Sequence, residues 1–312
     1  MSEAELEEVF RLAEAARIGR IIADVGDRLA SNWLTMSRFR EVQDLTTRSL
    51  QLQASPITLL HAGRALRATG YPTEALAYCE QALSLCQESG DRTSEAAALN
   101  SIGMIHDHLG DWQAALTHYQ RALPIYQEAR NRDGEAATLN NIGMIHDHLG
   151  DGQTALTNFQ QALPICRETG NRYGEASTLN NIGGIYLGLG DWRAALTHFQ
   201  RALPIRQEVG DLLGEAVTLS NIGMVHHSRG DLVPAFTHYQ HALPIHQEIS
   251  DRVGEAYTRS NIAMIYRATG DLAAAVAELE HVVTIDRAIQ HPGLADDTAT
   301  LNQVRAELQA QS

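Results

Sequence analysis

The chain has 312 residues, 24 basic against 38 acidic, and a formal charge of −14; every basic residue is arginine and lysine is absent. Schiff-base and P-loop lysine chemistries are thereby excluded, and the acidity argues against nucleic-acid phosphates as the main partner. With 44% hydrophobic and 20% charged residues, the chain can build a core and is not broadly disordered.

The start, Met1 to Phe10, is acidic and lacks the basic and apolar regions of a secretory signal. No apolar run approaches the roughly 18 residues of a membrane span. Cys79, Cys86 and Cys166 show no metal-binding spacing. Together these features point to a cytoplasmic protein whose thiols are reduced, small core residues. Residues 1–50 read as a degenerate helical N-terminal cap, with a two-helix pattern from Leu29 to Leu50 and Phe39 near the joint.

Beyond residue 50 the chain repeats. SIGMIHDHLGD at 101–111 returns as NIGMIHDHLGD at 141–151, and related segments begin at Asn181, Asn221 and Asn261, a step of 40 residues. The turn glycine recurs at Gly70, Gly110, Gly150, Gly190, Gly230 and Gly270. Six units follow: 51–90, 91–130, 131–170, 171–210, 211–250 and 251–290, with a C-terminal capping helix in 291–312.

Each unit predicts two helices. In the first, Leu99, Ile102, Gly103, His106 and Leu109 make one inward face at spacings of three and four. Gly110 supplies the left-handed end and Asp111 the next N-cap. The second helix buries Ala115, Leu116, Tyr119, Ala122 and Leu123, and Gly103 facing Ala115 and Ala122 implies a close helix approach. Glu135, Glu175, Glu215 and Glu255 open the following first helices, where negative charge meets the positive dipole end. Pro124, Pro164, Pro204 and Pro244 fall inside the second helix, where proline costs about 3 kcal/mol. The apolar phase continues past them, so a kink is expected; the alternative is that proline opens a short third helix.

The columns Leu179, Ile182, Gly183, Tyr186, Ala195, Phe199 and Ala202 match the tetratricopeptide-repeat (TPR) signature, and they recur through residues 55–290. The chain thus resembles the TPR family. Its 40-residue period, the joint Asn171 to Ala176 and the TLNNIG segment are similar to the long repeats of Pins/LGN scaffolds, kinesin light chain and many bacterial signalling proteins. The resemblance implies an all-α, right-handed superhelical solenoid of stacked antiparallel helix pairs. It also implies a concave groove that binds peptide segments of protein partners.

The first helix has a second face, which the resemblance places on that groove. Its candidate residues are Asn100, Asn140 and Asn180; Asn141 and Asn181; Met104, Met144 and Met224; Asp107 and Asp147; and His108 and His148. Asparagine offers a donor and an acceptor to an extended backbone, and methionine adapts to irregular apolar groups. The Asn100 column is read chiefly as binding and the Asn141 column chiefly as inter-repeat structure. Arg64 and Arg67 mark one end of the face, Asp107 and Asp147 its middle, and Arg267 its far end. A partner with a basic or amide-rich centre and acidic flanks would fit.

The pairs His106/His108 and His146/His148 lie two residues apart on a helix, so they diverge and cannot clamp one ion. No metal site and no cofactor are expected. Nucleophile-elbow, P-loop, zincin and CxxC motifs are absent, so no enzyme is expected. The leading function is a non-catalytic scaffold or adaptor that binds a partner peptide, with no nucleic-acid or membrane partner. A ligand-sensing module of a larger signalling system and a self-assembling array are the alternatives, and a catalytic role for residues 1–50 is a further one.

Overall fold

A computed structural model of the chain describes residues 2–36 and 38–311; among these, helices α1 to α16 are the regular structure and no strand occurs. Helices α1 (Glu3–Ala15), α2 (Gly19–Thr35) and α3 (Phe39–Leu50) precede the repeats. The pairs are α4 (Pro56–Ala68) with α5 (Pro72–Ser89), α6 (Arg92–His108) with α7 (Trp112–Glu128), and α8 (Arg132–His148) with α9 (Gly152–Thr169). Then come α10 (Arg172–Gly188) with α11 (Trp192–Val209), α12 (Leu212–Ser228) with α13 (Leu232–Glu248), α14 (Arg252–Thr269) with α15 (Leu272–Ile289), and α16 (Leu294–Gln311). No helix among the described residues is long and apolar enough to cross a membrane.

The chain forms two compact units, one ending at Ile165 and one beginning at Cys166, so their boundary falls inside α9. In the first, Phe10, Ile22, Leu29, Trp33 and Val42 from α1, α2 and α3 build one core that reaches Ala65 of α4. Between Leu29 and Leu50 lie the end of α2 and the whole of α3, which Phe39 opens, and α1 precedes them. Further on in this unit, the pairs α4/α5 and α6/α7 pack internally and against the first helix of the next pair: Ala115, Leu116 and Tyr119 of α7 meet Ile142 and Ile145 of α8. In the second unit Ala235 and Tyr239 of α13 meet Ile262 and Ile265 of α14 in the same way.

The punctuation is local chemistry. Asp111, Asp191 and Asp271 accept a backbone N–H three residues on, capping the second helices at 3.0–3.1 Å, while Asn131, Asn171, Asp211 and Asp251 cap first helices at 2.8–3.0 Å. Such caps satisfy N–H groups that the helix leaves free. Gly110, Gly150, Gly190 and Gly230 take the left-handed turn with φ 76–81°. At the joints, Arg130, Ser250 and Gln290 adopt it too, at φ 53°, 58° and 54°.

Two expectations are refined. Second helices continue through Pro124, Pro164, Pro204 and Pro244 without a third helix. These prolines are exposed, as are Gln120, Gln160, Gln200 and Gln240 four residues earlier, so water can satisfy the freed carbonyls while Ile125 and Tyr126 stay buried beyond. The glycine of the first helix is also filled differently. A Cβ on Gly103, Gly143, Gly183 or Gly223 would stand 2.6–2.8 Å from the ring of Tyr119, Phe159, Phe199 or Tyr239. The small residue seats an aromatic ring, more than it brings Ala115 and Ala122 close.

Candidate partner-binding face

In α6, Leu99, Ile102 and Ile105 are buried. Asn100, Met104 and Asp107 on the other face are half-buried and His108 is exposed. In α8, Asn140 and Asn141 are half-buried and Met144, Asp147 and His148 are exposed. In the second unit Asn180 and Asn181 of α10 and Met224 of α12 are half-buried, while Gly184 opens the methionine column to solvent.

The asparagines hold repeats together. Asn141 Nδ2 donates to Asn100 Oδ1 at 3.2 Å, and Thr138 Oγ1 donates to the same oxygen at 3.3 Å. In the second unit Asn221 Nδ2 and Thr218 Oγ1 serve Asn180 Oδ1 at 3.2 and 3.3 Å. The acceptors of Asn100 and Asn180 are therefore engaged at the seam, a role the sequence had assigned chiefly to the Asn141 column. What remains for a ligand is the amide N–H2, which in Asn100 lies 3.8 Å from Met104 Sδ. Met224 Sδ accepts from the Tyr257 hydroxyl at 2.9 Å.

Charges divide sharply. At the joints Arg92, Arg132, Arg172 and Arg252 each pair with the glutamate three residues on, Glu95, Glu135, Glu175 and Glu255. Burial opposes the ionised form of Glu175, but Arg167 and Arg172 outweigh it and hold its carboxyl below the ordinary range. On the face of the first unit, Arg64, Arg67, Asp107 and Asp147 make no side-chain hydrogen bond or ion pair among the described residues. Arg267 departs from the expected groove cation: both arms of its guanidinium are held by Glu307 of α16.

The histidines pack. His106 stacks on His118 and His226 on His238, with ring centroids 5.4 and 5.6 Å apart. His148 stacks on Trp112 at 5.4 Å, so of the two candidate groove histidines His108 is the one without a ring partner among the described residues. Burial, then His106, pushes His118 below its ordinary pKa, and burial, then His226, does the same to His238.

One column carried a charge signal that the repeat reading passed over. Positions 206, 246 and 286 hold Arg, His and Asp, all buried at 6%, 2% and 1% exposure. Each faces the residue five positions on, which for the first two is the cap of the next helix. Arg206 pairs with Asp211, donates to Ser177 Oγ at 2.8 Å and lies over the Tyr173 ring. His246 Nδ1 meets Asp251 Oδ2 at 2.8 Å. In the last pair the order reverses: Asp286 is on the helix, His291 in the loop that follows, and they stand 3.8 Å apart. Asp297 of α16 joins them, its carboxyl pushed up to about 6 by burial and by Asp286. The exchange of Asp and His between 246/251 and 286/291 was the readable clue.

Comparison with known proteins accords with this architecture. The Tetratricopeptide repeat profile matches residues 55–128, 134–208 and 214–288. No curated protein shows significant sequence similarity to the chain. Among solved structures, a Rap protein complexed with Competence and Sporulation Factor superposes with TM-score 0.66 at 14% identity, covering 99% of this chain and 98% of its own. A Signal Transduction ATPase with Numerous Domains (STAND) protein with a tetratricopeptide repeat sensor, PH0952 from Pyrococcus horikoshii, gives 0.74 at 14% identity, over 92% of this chain but 44% of that one. BtubC (BKLC) from P. vanneervenii gives 0.61 at 21% identity, over 69% and 91%. With matches over more than half its length and helix pairs in every matched segment, the chain belongs to the tetratricopeptide-repeat family.

Proposed function

We propose that the chain is a non-catalytic, cytoplasmic interaction module that binds a protein segment along the exposed face of its first helices, as scaffold or adaptor. The observation that carries this reading is the charge division. Joint arginines are consumed by neighbouring glutamates, whereas Arg64, Arg67, Asp107 and Asp147 are left unpaired on one face of α4, α6 and α8. Unpaired charges of both signs beside exposed Met144 offer a partner electrostatic register and adaptable apolar contact. Asn100 and Asn180 retain donors for backbone carbonyls. The full-length match to a Rap protein complexed with Competence and Sporulation Factor, and the partial match to a STAND repeat sensor, favour a regulatory role as a second reading.

Affinity capture tests the proposal, with the intact protein beside Asp107→Asn/Asp147→Asn and Arg64→Ala/Arg67→Ala. These side chains make no hydrogen bond or ion pair among the described residues, so both variants should melt close to the parent. Each should lose captured partners, and the losses should shrink as salt is raised. Partners retained equally by all three proteins would refute the face as assigned.

A further inference from the structure

At the end of the second unit, Asp286, His291 and Asp297 bring their ligand atoms within 4.8 Å of one another. They line a cavity of about 180 Å³ whose walls include Val253, Ala256, Tyr257 and Val282. Asp286 is 1% exposed, and its Oδ2 has no hydrogen-bond partner. A buried carboxylate oxygen without a partner is costly and calls for a compensating charge. Its counterparts in the same column have one: Arg206 has Asp211 and His246 has Asp251. His291 does not supply it at hydrogen-bond distance: its Nδ1 stands 3.8 Å from Asp286 Oδ1 and accepts the Gly293 N–H at 3.2 Å.

We propose that this cavity receives the side-chain ammonium of a lysine from a bound protein segment. Three features select that group. An ammonium can donate at once to acceptors that do not share a plane, and Asp286 and Asp297 present carboxylates from two different helices. A guanidinium prefers acceptors in one plane, whereas these come from α15 and α16. The apolar walls would cover an aliphatic stem, with the Tyr257 ring beside the charge. Ser260, in the Asn100 column, also lines the cavity, so it opens on the first-helix face. The chain contains no lysine, so none of its own side chains competes. The proposal rests on the interaction-module reading for its occupant and extends it to a residue type.

The probe is the tripeptide Ac-Gly-Lys-Gly-NH2, titrated into the full-length protein by calorimetry and by NMR of Tyr257. The norleucine peptide, which keeps the stem and removes the charge, and the free-amine peptide Gly-Nle-Gly-NH2 are the controls. The expected result is saturable binding of the lysine peptide near a Kd of about 1 mM, at least about tenfold tighter than either control. Asp286→Asn and Asp297→Asn should each weaken it at least about tenfold. Asp286→Asn should also melt no lower than the parent, because it removes an uncompensated buried charge, and a purely structural carboxylate would give the opposite shift. Equal binding of lysine and norleucine peptides overturns the proposal, as does no binding at about 20 mM. Saturable Mn²⁺ or Zn²⁺ binding lost in Asp286→Asn, without lysine-peptide binding, overturns it in favour of a metal centre. Because the tripeptide needs no physiological partner, its failure would leave the capture experiment on Arg64, Arg67, Asp107 and Asp147 standing.

Discussion

Gly183 and Gly184 are neighbours in α10 whose replacement by alanine should act in opposite directions. A Cβ on Gly183 would stand 2.7, 2.8 and 3.0 Å from Cε1, Cδ1 and Cζ of Phe199, a ring with 0% exposure. A Cβ on Gly184 would meet nothing within 4 Å. Both changes gain about 1 kcal/mol of helix propensity. Only Gly183→Ala adds an overpacking cost of about 1–3 kcal/mol. The propensity gain cancels in the comparison, so the two variants should differ by about 1–3 kcal/mol, with Gly184→Ala the more stable. Urea unfolding of the full chain, compared by midpoint at matched slope, measures this. The sixth unit supplies a compensated version, with Ala263 buried on the same core as Leu279. Gly183→Ala/Phe199→Leu should therefore regain part of the loss. If both single variants were stabilised equally, the ring-seating account of this column would be wrong.

Arg130, Ser250 and Gln290 hold left-handed backbone at joints where Gly90, Gly170 and Gly210 do so freely; each replacement by glycine should add about 1 kcal/mol of stability, read as a higher urea midpoint. Asp211→Asn keeps a residue type that caps α8 and α10 but strips buried Arg206 of its charge partner. It should cost about 3 kcal/mol, and Arg206→Cys/Asp211→Asn, which copies Cys166/Asn171, should recover much of it. Burial, with Arg64 adding, lowers the His61 pKa to about 4. Between that value and the ordinary 6.5 the unfolded chain binds more protons, so this contribution is complete above pH 6.5 and is lost as pH falls toward 4. Its size is at most about 3 kcal/mol. Asp27, whose Oδ1 lies 3.8 Å from His61 Nδ1, is raised by burial and opposes the trend. His61→Phe should flatten the acid limb of the thermal stability profile; an unchanged limb would show that His61 is not its source.

The division between sequence and structure follows the range of the interactions. Helix length, hairpin turns and caps depend on residues within a few positions, so Gly110, Asp111 and the spacing of Leu99, Ile102 and Ile105 announced them. The 40-residue period then multiplied that local message until the repeat family was plain. Proline was harder, because whether Pro124 breaks a helix depends on water reaching the Gln120 carbonyl and on Tyr126 finding burial. The face was legible as a set of columns, but the state of each side chain was not. Arg267 is spent on Glu307, 40 residues away, whereas Arg64 and Arg67 are unspent. Asn100 gives its acceptor to Asn141 across a seam. Sequence by itself determined the repeated helix pair and which residue types share a face. Tertiary packing alone decided which charges and amides are already satisfied, and it left Asp286 buried beside Asp297 with an oxygen unpaired, because partnership depends on distances between helices that no single repeat encodes.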